Sequence, residues 1–184
     1  MRSFGSRGPR GQISRAERNG KVAEALALAA AAGRVDWIEA VALAATRTEN
    51  VTLAMVAASR AYLELRDSLD AARRGGVPLA MLGRMSAAAE AAANQLWTST
   101  ERFGAVVPRQ GGTESARLMA AEARHIERLR ALQRELIALR DALFELTVGG
   151  TAAGEHERVA AILARLGGIA GALETDLREE RGGP

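Results

Sequence analysis

Six leucines between residues 129 and 146 constrain the fold of this chain more than any other feature. Their spacings alternate between three and four residues, so on an α-helix they form one continuous seam. An apolar seam of this length needs a neighbouring helix to cover it. We therefore predict a fourth helix from about Thr113 to Val148 whose packing interface consists of Leu129, Leu132, Leu136, Leu139, Leu143 and Leu146.

Further residues make the stripe longer and wider than a two-stranded seam requires. Leu118 and His125 extend one row towards the amino terminus. Four apolar residues widen the stripe: Met119, Ile126, Ile137 and Phe144. Because a wide stripe contacts more than one neighbour, the pattern favours a helical bundle or the core of an oligomer.

Composition points to the same fold class. The chain has 184 residues, of which 48% are hydrophobic but only 3% are aromatic. Alternating runs of β-branched and aromatic residues, which are typical of strands, are missing from the sequence. We predict an all-α protein, an up-and-down bundle of about five helices preceded by a disordered basic arm.

Helix boundaries follow from capping residues, glycines and prolines. The first helix is predicted to begin at Ser14, which has a capping-box spacing with Glu17, and to end at Gly33. A second helix begins at Asp36 and runs to Arg73, with a kink or break near Asn50. The predicted helix boundaries divide the chain into three segments. These are a flexible basic arm (1–12), an N-terminal helical part (13–105) and a C-terminal helical hairpin that packs in the same bundle (113–178).

The later helices are delimited in the same way. Pro78 suits the first turn of a third helix, which should end near Gly104. After Gly149, a fifth helix is predicted from apolar residues spaced by threes and fours, and it completes an antiparallel hairpin with the fourth. The apolar positions of this fifth helix are Val159, Ile162, Leu166, Ile169 and Leu173.

Catalytic and metal-binding patterns are missing from the sequence. There is no cysteine, which excludes disulfides and cysteine-ligated metals. Glu122 and His125 form one E-x-x-H pair, whereas a di-iron bundle needs two such pairs. His156 lies between two glutamates that point in different directions on a helix. We predict no enzymatic activity, no cofactor and no metal site.

The amino terminus is basic and is the candidate nucleic-acid contact. Its six basic residues are opposed by one acidic residue, Glu17, and such a segment can displace counterions from phosphates. The alternative is a solubilising tail without a ligand. The predicted contact residues are Arg2, Arg7, Arg10, Arg15, Arg18 and Lys21.

Residues 94–109 (NQLWTSTERFGAVVPR) form a predicted helix ending in Phe-Gly, followed by proline. This segment, together with the basic amino terminus containing glycine and proline, resembles tailed-phage small terminase subunits. The resemblance covers a minority of the chain and does not include the fourth and fifth helices. It implies DNA binding by an oligomeric helical assembly.

Two functions are consistent with these features. The first is a non-catalytic interaction or assembly protein, such as an adaptor, structural or chaperone-like subunit, that associates with itself or with another helical protein. The alternative is a nucleic-acid-binding accessory protein of the small-terminase type, which would be viral. No segment is apolar enough to span a membrane, and we expect a cytoplasmic location. Cleavage of a signal peptide is the less favoured alternative, because Glu24 interrupts the apolar run after the basic residues.

Overall fold

Seven helices make up the structure in the computed structural model, which describes residues 8–75, 77–106, 115–149 and 153–179. These described residues contain no strand, so the all-α prediction is confirmed. The helices are α1 (Pro9–Arg18), α2 (Val22–Ala31), α3 (Val35–Thr46), α4 (Glu49–Ala72), α5 (Leu79–Val106), α6 (Ser115–Gly149) and α7 (Ala153–Glu179).

The predicted first helix is divided into α1 and α2 at Gly20. This glycine has a φ of 72°, a left-handed conformation that is not helical. Helix α1 begins at Pro9. Proline suits this position because the backbone N–H that it lacks would have no helical partner in the first turn. Ser14 therefore lies inside α1, where its carbonyl oxygen accepts a 3.1 Å hydrogen bond from Arg18 Nε. The predicted cap at Ser14 is wrong, and the segment assigned to a flexible arm contributes residues 9–12 to α1.

The predicted second helix is also divided, as the sequence suggested, and the break lies at Arg47, three residues before Asn50. Arg47 has a φ of 56° and separates α3 from α4. Threonine hydroxyls stabilise this break: the Oγ1 atoms of Thr46 and Thr52 lie 2.9 Å apart in the protein interior. The Thr52 hydroxyl also donates to the Thr48 carbonyl oxygen at 2.9 Å. These two breaks explain why seven helices are seen where about five were predicted.

Contacts between side chains give the directions of the longer helices. Arg140 of α6 forms a 2.5 Å ion pair with Glu64 of α4. Thr147, further along α6, lies beside Gly75, which follows α4, so α4 and α6 run in the same direction. Helix α7 is antiparallel to α6, because Arg165 contacts the earlier Glu135 of α6 at 3.0 Å, whereas Arg158 pairs with the later Glu145.

The end of α5 returns to the start of α4. A Cβ atom on Gly104 of α5 would lie 2.4 Å from the Ala45 carbonyl oxygen of α3. Helix α5 therefore runs opposite to α4, and only glycine permits this close approach. On the other side of α5, Phe103 stacks on His125 of α6.

Helices α4 to α7 form a four-membered arrangement in which sequence neighbours are not always packing neighbours. Helix α4 packs most extensively against α6, and α7 packs against both α5 and α6. Helices α5 and α6, although consecutive, share only a small contact and lie diagonally across the bundle. The arrangement thus differs from a bundle in which each helix packs chiefly on the next. Helices α2 and α3 pack against α5 near its carboxyl end.

The leucine seam closes within a single chain. All six of its leucines are buried in one continuous core that includes side chains of α4 and α7. Their packing partners are other helices of the same molecule, so they are not available to a second molecule in this fold. None of the described helices combines the length and apolar character needed to cross a lipid bilayer.

Candidate interaction surfaces

The predicted nucleic-acid contact is largely a helical face. Within the described residues, Arg10, Arg15 and Arg18 are exposed on α1, while Ile13 and Ala16 bury the opposite side. The spacing places the three arginines on the side of α1 away from its core contacts. Helix α1 packs against α2, so the positions of these charges are fixed relative to the rest of the fold.

The remaining predicted contacts contribute differently. Lys21 follows α1 and forms a 3.1 Å ion pair with Glu24, which reduces its positive field. Arg2 and Arg7 lie outside the described residues. The structure thus brings three of the six predicted residues onto one face and places Lys21 at its end.

Helices α2 and α3 are joined by a three-residue turn, and the exposed side chains of α3 differ from those of a typical DNA recognition helix. The turn between them contains Gly33 with a φ of 65°, and glycine is common in the turn of helix-turn-helix motifs. A recognition helix carries arginine, lysine, asparagine or glutamine towards the bases. The exposed positions of α3 are instead Asp36, Glu39, Ala40, Leu43 and Ala44.

Arg34, the basic residue at the start of α3, is already engaged. Its guanidinium contacts the Asp36 carboxylate at 2.6 Å and lies 4.4 Å from the centroid of the Trp37 ring. The ion pair lowers the pKa of Asp36 and raises that of Arg34. Asp36 therefore does not cap the helix with its side chain, contrary to the sequence prediction.

A second exposed surface lies on α6, on the side opposite the leucine seam. Phe144 is 68% exposed and Val148, one turn later, is 71% exposed. Ile137, two turns before Phe144, is half-buried. Arg140 and Asp141 lie between these apolar residues, 3.0 Å apart as an ion pair. Of the residues predicted to widen the stripe, Phe144 and Met119 are exposed, whereas Ile126 and Ile137 pack partly against the core.

A groove runs beside this surface, between α4 and α6. It has a volume of about 600 Å³ and one wall of small side chains from α4, namely Ser68, Ala71 and Ala72. Phe144 and Arg140 line the opposite side. The groove leaves space next to the exposed phenylalanine that none of the described residues fills.

His125 is the most perturbed titratable group described. It is only 6% exposed, and its ring stacks on Phe103 with 4.8 Å between centroids and 6° between planes. Its Nε2 atom has no hydrogen-bond partner within the described part of the chain. Burial, and to a smaller extent the charge of Arg128, lower the pKa of His125 to about 4.

Helix packing accounts for this histidine better than a metal site does. Among the described residues, no three acidic or histidine side chains converge closely enough to hold a metal ion. Glu122 and His125 lie one turn apart and form one E-x-x-H pair, but the sequence has no second E-x-x-H pair to complete a di-iron site. His125 therefore extends the leucine seam by one turn, and its stacking on Phe103 had no signal in the sequence.

Comparisons with known proteins give no relative. No protein-family model matches the chain, and no significant match was found among curated proteins or solved structures. The segment that resembles small terminase subunits lies mostly in α5, with residues 107–109 outside the described part.

Proposed function

We propose that this protein is a non-catalytic α-helical assembly protein that associates with itself in the cytoplasm. The observation that supports this proposal is the exposed apolar surface of α6 formed by Phe144 and Val148, which the half-buried Ile137 extends. Single exposed apolar residues are common, but this surface groups a phenylalanine and a valine beside an unfilled groove. Covering such a surface removes apolar area from water and favours association.

The inner and outer faces of α6 have different roles in this proposal. Because the leucine seam is used within the chain, association has to involve the outer face or another exposed surface. Exposed apolar residues on other helices, such as Leu53 of α4, do not line this groove and provide matched controls.

The solution mass tests the proposal directly. Multi-angle light scattering would be measured over a concentration series, at low and at high salt. We expect a mass above that of one 19.4 kDa chain that persists at high salt, because apolar contacts are not weakened by screening. A constant mass of one chain at every concentration would exclude self-association.

A nucleic-acid-binding accessory role is the second candidate, and the observation that favours it is the arginine face of α1. Three guanidinium groups fixed on one helix can contact successive phosphates without sequence specificity. The resemblance of residues 94–109 to small terminase subunits, which bind DNA as oligomers, supports the same candidate. The acidic and apolar outer face of α3 argues for backbone contacts rather than base recognition.

Fluorescence anisotropy with labelled duplex DNA tests this second candidate. The variant R10Q/R15Q/R18Q should bind more weakly, and the slope of log affinity against log salt should fall by about 3. A control variant replaces three exposed arginines elsewhere with glutamine, at positions Arg60, Arg84 and Arg134. Equal loss of affinity in both variants would show that net charge, and not the face of α1, governs binding.

A further inference from the structure

The outer face of α6 has a symmetrical pattern of charge and apolarity. Residues 137–144 read IALRDALF, with a positive and a negative residue at the centre and an apolar residue three positions to either side. Arg140 and Asp141 form the centre, and Ile137 and Phe144 are the flanking residues. On a helix these four residues share the side facing away from the leucine seam.

We propose that two copies of this chain associate through this face, with their α6 helices antiparallel about a two-fold axis between Arg140 and Asp141. Such a contact is isologous, which means that if one residue contacts a second residue of the other copy, the reverse contact also occurs. Arg140 then faces Asp141 of the second copy, and Ile137 packs against its Phe144. The inference rests on the proposed function and specifies the surface that self-association uses.

Charge is the reason for choosing a second copy as the occupant. A uniformly charged face would repel the same face of a second copy. Here the two-fold rotation instead places Arg140 opposite Asp141 of the second copy, so opposite charges meet. The same cancellation makes this face unsuitable for the phosphate backbone of DNA, which needs a net positive surface. An acidic residue at the centre also disfavours burial in a lipid surface.

The neighbouring structure leaves room for the second helix. Arg140 pairs with Glu64 and Asp141 at the surface, and its side chain is 35% exposed, so it remains accessible. The groove between α4 and α6 is bordered by Ser68 and Ala71, whose small side chains allow a close approach. Val148, one turn beyond Phe144, extends the apolar contact at each end of the symmetrical pair.

The size of the contact sets the expected affinity. One pair of helix faces is smaller than the interface of about 1,200–2,000 Å² that stable complexes bury. We therefore expect a reversible monomer–dimer equilibrium that depends on concentration in the micromolar range or above. Sedimentation velocity resolves such an equilibrium.

Charge reversal on single copies provides the sharpest test. In D141R both central residues are positive, and in R140D both are negative, so each variant should repel its own copy and remain monomeric. A mixture of the two variants should form a heterodimer, because every central contact then joins opposite charges. Both substitutions change exposed ion pairs, which contribute little to folding, and circular dichroism checks the helix content of each variant.

A matched pair of apolar substitutions tests the flanking contacts. F144E should weaken dimerisation by at least about tenfold, because it places a carboxylate in the apolar contact. L53E is the control, since Leu53 is also exposed but lies about 16 Å along α4 from Glu64, the residue that pairs with Arg140. L53E should leave the dimer unchanged.

The outcomes separate this inference from the proposed function. Dimeric wild type, monomeric single variants and a dimeric mixture would support the antiparallel contact. If the wild type is dimeric but either charge variant or F144E remains dimeric, or the mixture remains monomeric, this contact is wrong and self-association uses another surface. A wild type that is monomeric at every concentration would overturn both.

Discussion

Burial of His125 between α5 and α6 should make the stability of the fold depend on pH. In the unfolded chain the pKa of histidine is close to 6.5, and in the folded protein burial lowers it to about 4. Above pH 6.5 the side chain is neutral in both states and has no effect. As the pH falls below 6.5, the unfolded state binds a proton that the folded state does not, so stability decreases.

The magnitude follows from the pKa difference. Each pH unit between 6.5 and 4 lowers the free energy of unfolding by about 1.4 kcal/mol, so about 2 kcal/mol is lost by pH 5 and about 3 kcal/mol by pH 4. The charge of Arg128 adds to the effect, but the larger cause is the removal of the ring from water. Among the described residues, none forms a hydrogen bond to Nε2 that would offset the cost of a charged imidazole.

Urea denaturation of the wild type and of His125→Phe at several pH values measures this contribution. The phenylalanine keeps an aromatic ring against Phe103 but has no titrating nitrogen. The two proteins differ only at position 125, so the difference in unfolding free energy isolates the contribution of His125. We expect this difference to be constant above pH 7 and to grow in favour of His125→Phe between pH 6.5 and pH 4.5.

A difference that stays constant from pH 7 to pH 4.5 would refute this reasoning. It would mean that the imidazole gains a proton equally easily in the folded and unfolded states. Measuring the pKa of His125 in the folded protein by nuclear magnetic resonance gives an independent check.

Substitutions at glycines and leucines test the packing of the bundle. Gly104→Ala should lower the free energy of unfolding by about 1–3 kcal/mol, because its Cβ would lie 2.4 Å from the Ala45 carbonyl oxygen. Gly83 lies on the same helix, and a Cβ atom added there would have nothing within 4 Å, so Gly83→Ala should raise the free energy of unfolding by up to about 1 kcal/mol. Urea denaturation measures both variants, and a Gly83→Ala protein that is less stable than the Gly104→Ala protein would contradict this reasoning. Leu136→Ala should cost about 2–5 kcal/mol, because Leu136 is fully buried. Leu53→Ala, at an exposed position, should change the free energy of unfolding by no more than about 0.5 kcal/mol. Equal losses of stability from the Leu136 and Leu53 substitutions would contradict the position of the core.

Helix α6 shows which features are encoded locally. The spacing of its leucines predicted both the helix and the residues that are buried, because the period of the helix repeats within the sequence itself. The identity of the covering helix was not encoded in this way. Several helices carry a similar apolar stripe, and the large contact between α4 and α6 joins segments about 76 residues apart, as Arg140 and Glu64 illustrate.

The two helix breaks have different causes, and only the one at Gly20 was not predicted. Gly20 was visible as a weak point, but a glycine inside an apolar pattern is also compatible with a continuous helix. The break at Arg47 has neither glycine nor proline. Its local signal is the group of threonines at 46, 48 and 52. Their hydroxyl groups hydrogen-bond to one another and to nearby backbone carbonyls, and these contacts depend on burial that sequence spacing does not specify.

The two candidate surfaces lie towards opposite ends of the bundle and can act together. Helix α1 packs on α2, which contacts the carboxyl end of α5 through the 3.0 Å bond from the Ala23 amide to Glu101. Phe144 lies about 28 Å along α6 from His125, which marks that same end. A dimer formed through α6 would therefore leave both arginine faces uncovered. If the arginine faces bind DNA as proposed, two of them in one particle would act at a higher effective concentration than one face does. Self-association would then strengthen a weak electrostatic contact without any new charge.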